Sequence, residues 1–197
     1  MILEYCSTVS QGVVISRVQQ PFGSGNTEYS LYSMKEMNES LGREYHGNTE
    51  KLQKIHVSSE KAAALPVTKE GMVLVNLTAH RAVAIQPEHI GKLIPSNFAI
   101  IEPKENLHTL YFEWYFNEHP SCRKQLRIAT QGSIISALSI QMLRSLDIDL
   151  PKKNKQRAIG MINHLIRQKK GLLNEKIDLE ATLTKHKLLS LPKGEIK

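Results

Sequence analysis

The sequence predicts an α+β protein: a globular domain over residues 1–150 with a β-sheet and flanking helices, then one long coiled-coil-forming helix within residues 151–197. Three observations carry this. Short Val- and Ile-rich runs separated by turn residues recur between Val9 and Glu102, as strands do. An aromatic stretch from Leu107 to His119 has helical spacing. Leu165, Leu172 and Leu179 recur at intervals of seven, with Ile162, Ile166, Leu173, Ile177 and Leu183 beside them.

Residues 1–20 alternate and carry Val9, Val13, Val14, Ile15 and Val18, which reads as a strand or two around Gln11-Gly12. Pro21 to Asn26 is a loop rich in residues that permit turn dihedrals. Met34 to Leu41 suits a helical turn. Leu65 to Leu77 turns at Glu70-Gly71 and then enters a buried strand; Arg81 to Ile85 and Phe98 to Glu102 read as further strands. The helix from Leu107 stops before Pro120. Its aromatics Tyr111, Phe112, Trp114, Tyr115 and Phe116 suit a core at that spacing, and stacking on bases is the rival reading. Gln131 to Leu138 forms a glycine-marked loop, and Leu143 to Leu150 a strand-like run that puts Asp147 and Asp149 on one face. The last helix opens near Asn154, a good N-cap, and runs toward Leu189 before Pro192. Gly160 and Gly171 each cost such a helix about 1 kcal/mol against Ala, so packing must support it. The stripe Ile162, Leu165, Ile166, Leu172, Leu179 and Leu183 asks for a partner helix, which predicts a homodimer. A helix folded back on its own domain is the alternative.

The net charge of +7 is unevenly placed. Residues 151–197 hold 12 Lys and Arg against 4 Asp and Glu, a balance of +8, whereas residues 1–150 hold 14 against 15, a balance of −1. The domain can offer phosphate a positive surface only by clustering its cations. Cys6 and Cys122 form no CxxC pair and read as free thiols of a cytoplasmic protein. No apolar run is long enough for a membrane span, and the N-terminus lacks a secretory pattern. The eight histidines show no zinc spacing, and no phosphate loop, dinucleotide fingerprint or nucleophile elbow is present. An enzyme is therefore not expected, nor a metal or nucleotide cofactor.

An ordered series of segments resembles a DNA target-recognition domain of the specificity subunits of type I restriction–modification systems. Val9-Ser10-Gln11-Gly12-Val13 is similar to its opening strand. Lys69 to Val75 sits where a Lys-Gly-Asp-Ile-Leu segment is usual, with Met72 in place of the Asp. Arg81 to Ile85, Pro95 to Ile101 and the helix Leu110 to Phe116 follow in order. The loop at Gly132-Ser133, Leu150-Pro151 and Gln156 complete the series.

The resemblance implies a target-recognition fold with a mixed, curved sheet, ahead of a long helix that serves dimerisation and subunit docking. Full-length subunits carry two such units, so this chain looks like a half-subunit that dimerises. Expected partners are double-stranded DNA, a modification subunit that methylates adenine, the restriction subunit, and a second copy of the chain. Candidate DNA contacts are Arg17, Arg43, Arg81, Asn97, Arg127, Gln131 and Ser133, all polar and in or beside predicted loops, with Arg127 and Gln131 reading bases. Lys152, Lys153 and Lys155 are expected to hold phosphates. The alternative function is an adaptor whose basic helix binds an acidic protein or RNA.

Overall fold

The computed structural model describes residues 1–21, 23, 25–43, 45, 54–131 and 137–190. A helical turn, α1 (Leu3–Cys6), leads into β1 (Ser7–Gln11). A second turn, α2 (Ile15–Val18), precedes β2 (Asn26–Ser30) and α3 (Met34–Ser40). Then come β3 (Lys54–Ser58), α4 (Ser59–Ala62), β4 (Val73–Asn76), β5 (Arg81–Ala84) and β6 (Phe98–Pro103). The remainder is helical: α5 (Thr109–Glu118), α6 (Pro120–Thr130), α7 (Ile140–Arg144) and α8 (Lys153–Ser190).

The main sheet has the order β1-β6-β4-β5 with every strand pair antiparallel. Among the described residues, parallel pairing is confined to single bridges, Val13 with Pro95 and Leu31 with Leu93. Among the described residues the strands close no barrel. The central strands β4 and β6 read as continuous apolar runs because both their faces are covered. Val73, Val75, Ala99 and Ile101 pack toward Phe112 and Phe116 of α5. Leu74, Phe98 and Ile100 face the opposite way, toward Tyr32 and Met37 of the α3 region. A smaller core of Ile55, Val57 and Leu93 lies under the two-stranded sheet β2-β3, with Val13, Ile15 and Val18 against it.

Strand β5 is an edge, and α5 seals it with side chains. Asn117 accepts from the Ala82 amide at 3.0 Å and donates to the Ala82 carbonyl at 2.7 Å. Glu113 accepts from the Ala84 amide at 3.1 Å. The α5 aromatics Tyr111, Phe112, Tyr115 and Phe116 are core residues, so stacking on bases is closed to them.

Helix α8 is 38 residues long, about 57 Å at the usual rise. One face of its first half docks on the domain. Gln156 is buried, accepts from the His108 amide at 2.9 Å and donates to the carbonyls of Asn106 and Pro151. Gly160 lies so close to α5 that a Cβ there would stand 2.7 Å from the backbone of Leu110 and Tyr111. Arg167 reaches Glu113, and Gly171 passes Gly42 at the end of α3. Ile162 follows Gly160 by two positions, about 200° around the helix, so the apolar stripe points away from this docked face. From Leu172 to Ser190 every residue is exposed.

Several sequence expectations change. Ile15 to Val18 is not strand: α2 occupies it, because Ile15 and Val18 pack at helical spacing. Leu143 to Leu150 is not strand either. It begins in α7, and only Asp147 makes a bridge, to Ile2. The alternation survives over Leu146 to Asp149, with the two aspartates outward. Asn154 lies inside the first turn of α8 and is not its cap. Helix α6 and the β2-β3 pair were not anticipated. Both cysteines are free and buried. No described helix is long and apolar enough to cross a membrane.

Candidate nucleic-acid interface

The end of the sheet where β4 passes to β5 is built by one buried side chain. Asn76 Oδ1 accepts from the Thr78 amide at 3.1 Å, the Ala79 amide at 2.8 Å and the Thr78 hydroxyl at 2.9 Å, and so folds the turn back on itself. His80 completes the reversal with φ of 51°, the only non-glycine described with a positive φ. Arg81 then opens β5.

Helix α6 lies next to this turn. Cys122 and Leu126 anchor it to the core, leaving Arg123, Lys124 and Arg127 exposed. The turn, the end of α5 and this face of α6 enclose a depression of about 310 Å³. Ala79, His80, Arg81, Asn117, Arg123 and Arg127 contribute to its wall, with Phe116, Leu126 and Thr130 beneath. The guanidinium of Arg81 has its pKa lowered, first by burial and then by Arg43 and Arg123 beside it, while Glu118 pulls the other way. Glu118 is already engaged, since Arg123 Nη2 donates to it at 3.1 Å. Arg123 Nε donates to the Asn117 carbonyl at 2.9 Å. The side chains of Arg43, Arg81 and Arg127 make no hydrogen bond or ion pair with the described residues. A domain with a balance of −1 thus gathers four arginines at one end of its sheet.

Three of the arginines expected to touch DNA, Arg43, Arg81 and Arg127, meet there. Asn97 stands at the same sheet end, exposed, with its carbonyl accepting from the Leu77 amide at 3.0 Å. Gln131 follows α6 directly and is exposed. Leu138, past the Gly-Ser loop, donates its amide to the Leu77 carbonyl at 2.8 Å and so brings the chain back to this end. Ser133 lies outside the described residues. Arg17 stands apart on α2, exposed, beside the β2-β3 sheet. Lys152, Lys153 and Lys155 are exposed at the start of α8. His108 has its pKa lowered by burial, then by Arg157 and Lys153 next to it, which places that basic group at the N-terminal end of α5. The arginines gather at the other end of α5, about 15 Å away. His80 and Arg123 were not foreseen. His80 had no signal, but Arg123 falls with Lys124 and Arg127 on the outward face of an amphipathic segment that could have been read.

The six stripe residues Ile162, Leu165, Ile166, Leu172, Leu179 and Leu183 are 53–66% exposed. For large apolar side chains in a row, this is a surface suited to a partner.

The architecture is similar to that of solved structures. A chain from a structure described as the structural basis of complex assembly and conformational transition of the type I R-M system superposes with a TM-score of 0.57 and 17% identity, over 94% of this chain and 42% of that one. The HsdS subunit from Thermoanaerobacter tengcongensis gives 0.53 and 15%, over 89% and 39%. The S subunit of a type I restriction–modification system from M. genitalium gives 0.56 and 12%, over 94% and 43%. This chain therefore spans about two-fifths of the length of the structures it matches. No family model and no curated protein matches it by sequence. At these identities the likeness is one of fold.

Proposed function

We propose that this chain, which has the fold of about two-fifths of a type I restriction–modification specificity subunit, is a half-subunit that reads duplex DNA and performs no chemistry itself. Residues 1–150 form the reader, and residues 151–197 pair with a second copy and dock the enzyme subunits. The partner that acts is an adenine methyltransferase, with a restriction subunit joining the assembly in the cytoplasm. Double-stranded DNA is the ligand, and no cofactor is held by this chain.

The observation that carries this reading is the two-sided character of α8. Its polar and glycine face is spent on its own domain, while the apolar face from Ile162 to Leu183 lies open. A second copy of the same helix covers it. Lys169, Lys176 and Glu180 also lie on this face, and a parallel pair in register would set each against its own kind. An antiparallel pair centred at Asp178 sets Lys176 opposite the partner's Glu180 and Leu173 opposite the partner's Leu183, twice over, and on this face leaves like charges only where Lys169 meets the partner's Lys187 toward the ends. Two readers at the ends of such a pair suit a split, two-fold symmetric target. The test is selection of duplexes from a random pool by the chain with its methyltransferase partner. An enriched split motif is expected. A pool that stays random rejects the reader and promotes the adaptor.

A further inference from the structure

The depression between the β4–β5 turn and α6 is more than a place where candidate residues meet. Three arginines, one opening β5 and two on α6, face one concavity with Arg43 close to Arg81, and the carboxylate that acts on Arg81, Glu118, already belongs to Arg123. Like charges gathered on a surface repel one another, and half-burial of Arg81 weakens the solvent screening that would relieve them. An anion relieves both costs. The donors suit a tetrahedral oxyanion: guanidinium forks bind phosphate oxygens in pairs, and among the described residues the cleft opens to the outside.

We infer that this cleft, walled by Arg81, Arg123 and Arg127 with Arg43 at its margin, is a phosphate site that grips the DNA backbone without reading sequence. This deepens the proposed function and rests on it. It also changes the role expected of Arg127, from base reader to backbone anchor. Base reading falls instead to neutral side chains at the same sheet end, Asn97 and Gln131. Those offer the paired donor and acceptor that match an adenine edge, while several guanidinium forks on one concavity match the oxygens of a phosphate. The anchor and the reading residues then lie on one end of the domain, so a backbone gripped at the cleft fixes the register of the groove beside it.

The experiment has two arms. In the first, inorganic sulfate is the probe, and thermal unfolding of the full chain is followed in sulfate and in chloride at matched ionic strength. Sulfate is expected to raise the midpoint of the wild type above chloride. Arg127→Ala, which changes an exposed side chain, and Arg81→Gln are expected to lose most of that difference while unfolding in chloride at nearly the wild-type temperature. No sulfate advantage in the wild type, or one that both variants keep, overturns the site. In the second arm the same proteins, with their methyltransferase partner, are titrated with the selected duplex and with an unrelated one across a range of salt. Each variant is expected to weaken both duplexes by the same factor and to lower the salt slope by about 1 per lost contact. A loss confined to one duplex, with the slope intact, makes these arginines base readers and overturns the inference while the half-subunit reading stands. Sulfate protection that needs Arg81 and Arg127 in a protein that binds no duplex overturns the DNA assignment and the half-subunit reading together, leaving an anion site of another use.

Discussion

Arg167 of α8 places both terminal nitrogens on the carboxylate of Glu113 in α5, Nη1 to Oε1 at 2.6 Å and Nη2 to Oε2 at 2.9 Å. Glu113 is fully buried, and its Oε1 also accepts from the Ala84 amide. One carboxylate thus joins the edge of the sheet, the helix that seals it and the helix that projects from the domain. Removing either partner strands a charge in the interior. Glu113→Gln is expected to cost about 3–5 kcal/mol, and Arg167→Leu a comparable amount. The double substitution should cost clearly less than the sum of the two. Urea unfolding of the four proteins measures the coupling, and simple additivity would remove the pair from the account of how α8 is aimed.

Gly160 and Gly171 lie on the same helix and make opposite predictions. A Cβ at Gly160 meets the Leu110 carbonyl carbon and the Tyr111 amide nitrogen, both at 2.7 Å, and backbone cannot swing aside. At Gly171 the nearest atom is Gly42 Cα at 4.0 Å, ordinary contact. Alanine improves helix propensity by up to about 1 kcal/mol at each position. Gly171→Ala should therefore stabilise the protein by up to that amount. Gly160→Ala should destabilise it by about 1–3 kcal/mol, because α8 must lift from α5. Thermal or urea unfolding decides, and equal effects would refute the close approach.

Glu36 predicts an acid response. Burial raises its pKa, but hydrogen bonds from Lys92 at 2.7 Å and from Ser33 outweigh that and bring it to about 2, below the ordinary 4.5. A lowered carboxylate contributes stability that is fully present above the unfolded value and lost as pH falls through the folded one. Glu36→Gln should be less stable than the wild type at neutral pH. The difference should close as pH drops from about 4.5 toward 2. Urea midpoints across that range test it, and a constant difference would assign the effect to packing alone.

The sequence was most legible where one element supplies its own signal. Strands β4, β5 and β6 announce themselves because burial on both faces leaves almost no polar residues, and α8 because its stripe recurs over many turns. Helix α6 was hidden by Pro120, which ends the pattern of α5 and also begins the next helix, where a missing amide costs nothing. The run from Leu143 misled because two alternating apolar residues, Leu146 and Ile148, look like strand whether or not a neighbouring chain pairs with them. The arginine cleft could not be read from the sequence. Arg43, Arg81, Arg123 and Arg127 lie far apart or in mixed surroundings along the chain, and only the turn at Asn76 and the packing of α6 assemble them.

The proposed antiparallel helix pair makes a charge-swap prediction. Lys176→Glu sets like charges opposite the partner's Glu180 at two symmetric places, so dimerisation should weaken. Lys176→Glu combined with Glu180→Lys restores opposite pairs and should recover it. In a parallel pair in register each residue faces its own copy, and neither change would alter the balance. Leu172→Asp should abolish the dimer outright by placing a carboxylate in the apolar face. Light scattering over a concentration series reads all four proteins, and a monomeric wild type at tens of micromolar would end the proposal of a self-paired helix.

Sequence reading and dimer geometry should separate on mutation. Asn97 is exposed at the sheet end, clear of the core, and offers a bidentate amide. If it reads a base edge, Asn97→Ala should leave the selected motif split and symmetric but relax one position in each half, at about 1–3 kcal/mol per lost contact. Gln131→Ala should do the same at a different position. Leu172→Asp makes the opposite change: in the proposed dimer the pair of α8 helices sets the spacing between halves, so each half should keep its letters while the fixed spacing is lost. Substituting Lys152, Lys153 and Lys155 together with Ala should weaken every duplex alike. Duplex selection with each variant, in complex with the methyltransferase partner, reads these outcomes in one assay. A motif that keeps all its letters in both Asn97→Ala and Gln131→Ala would move base reading away from this end of the sheet, and the next candidate is Arg17 on α2, beside the β2-β3 sheet.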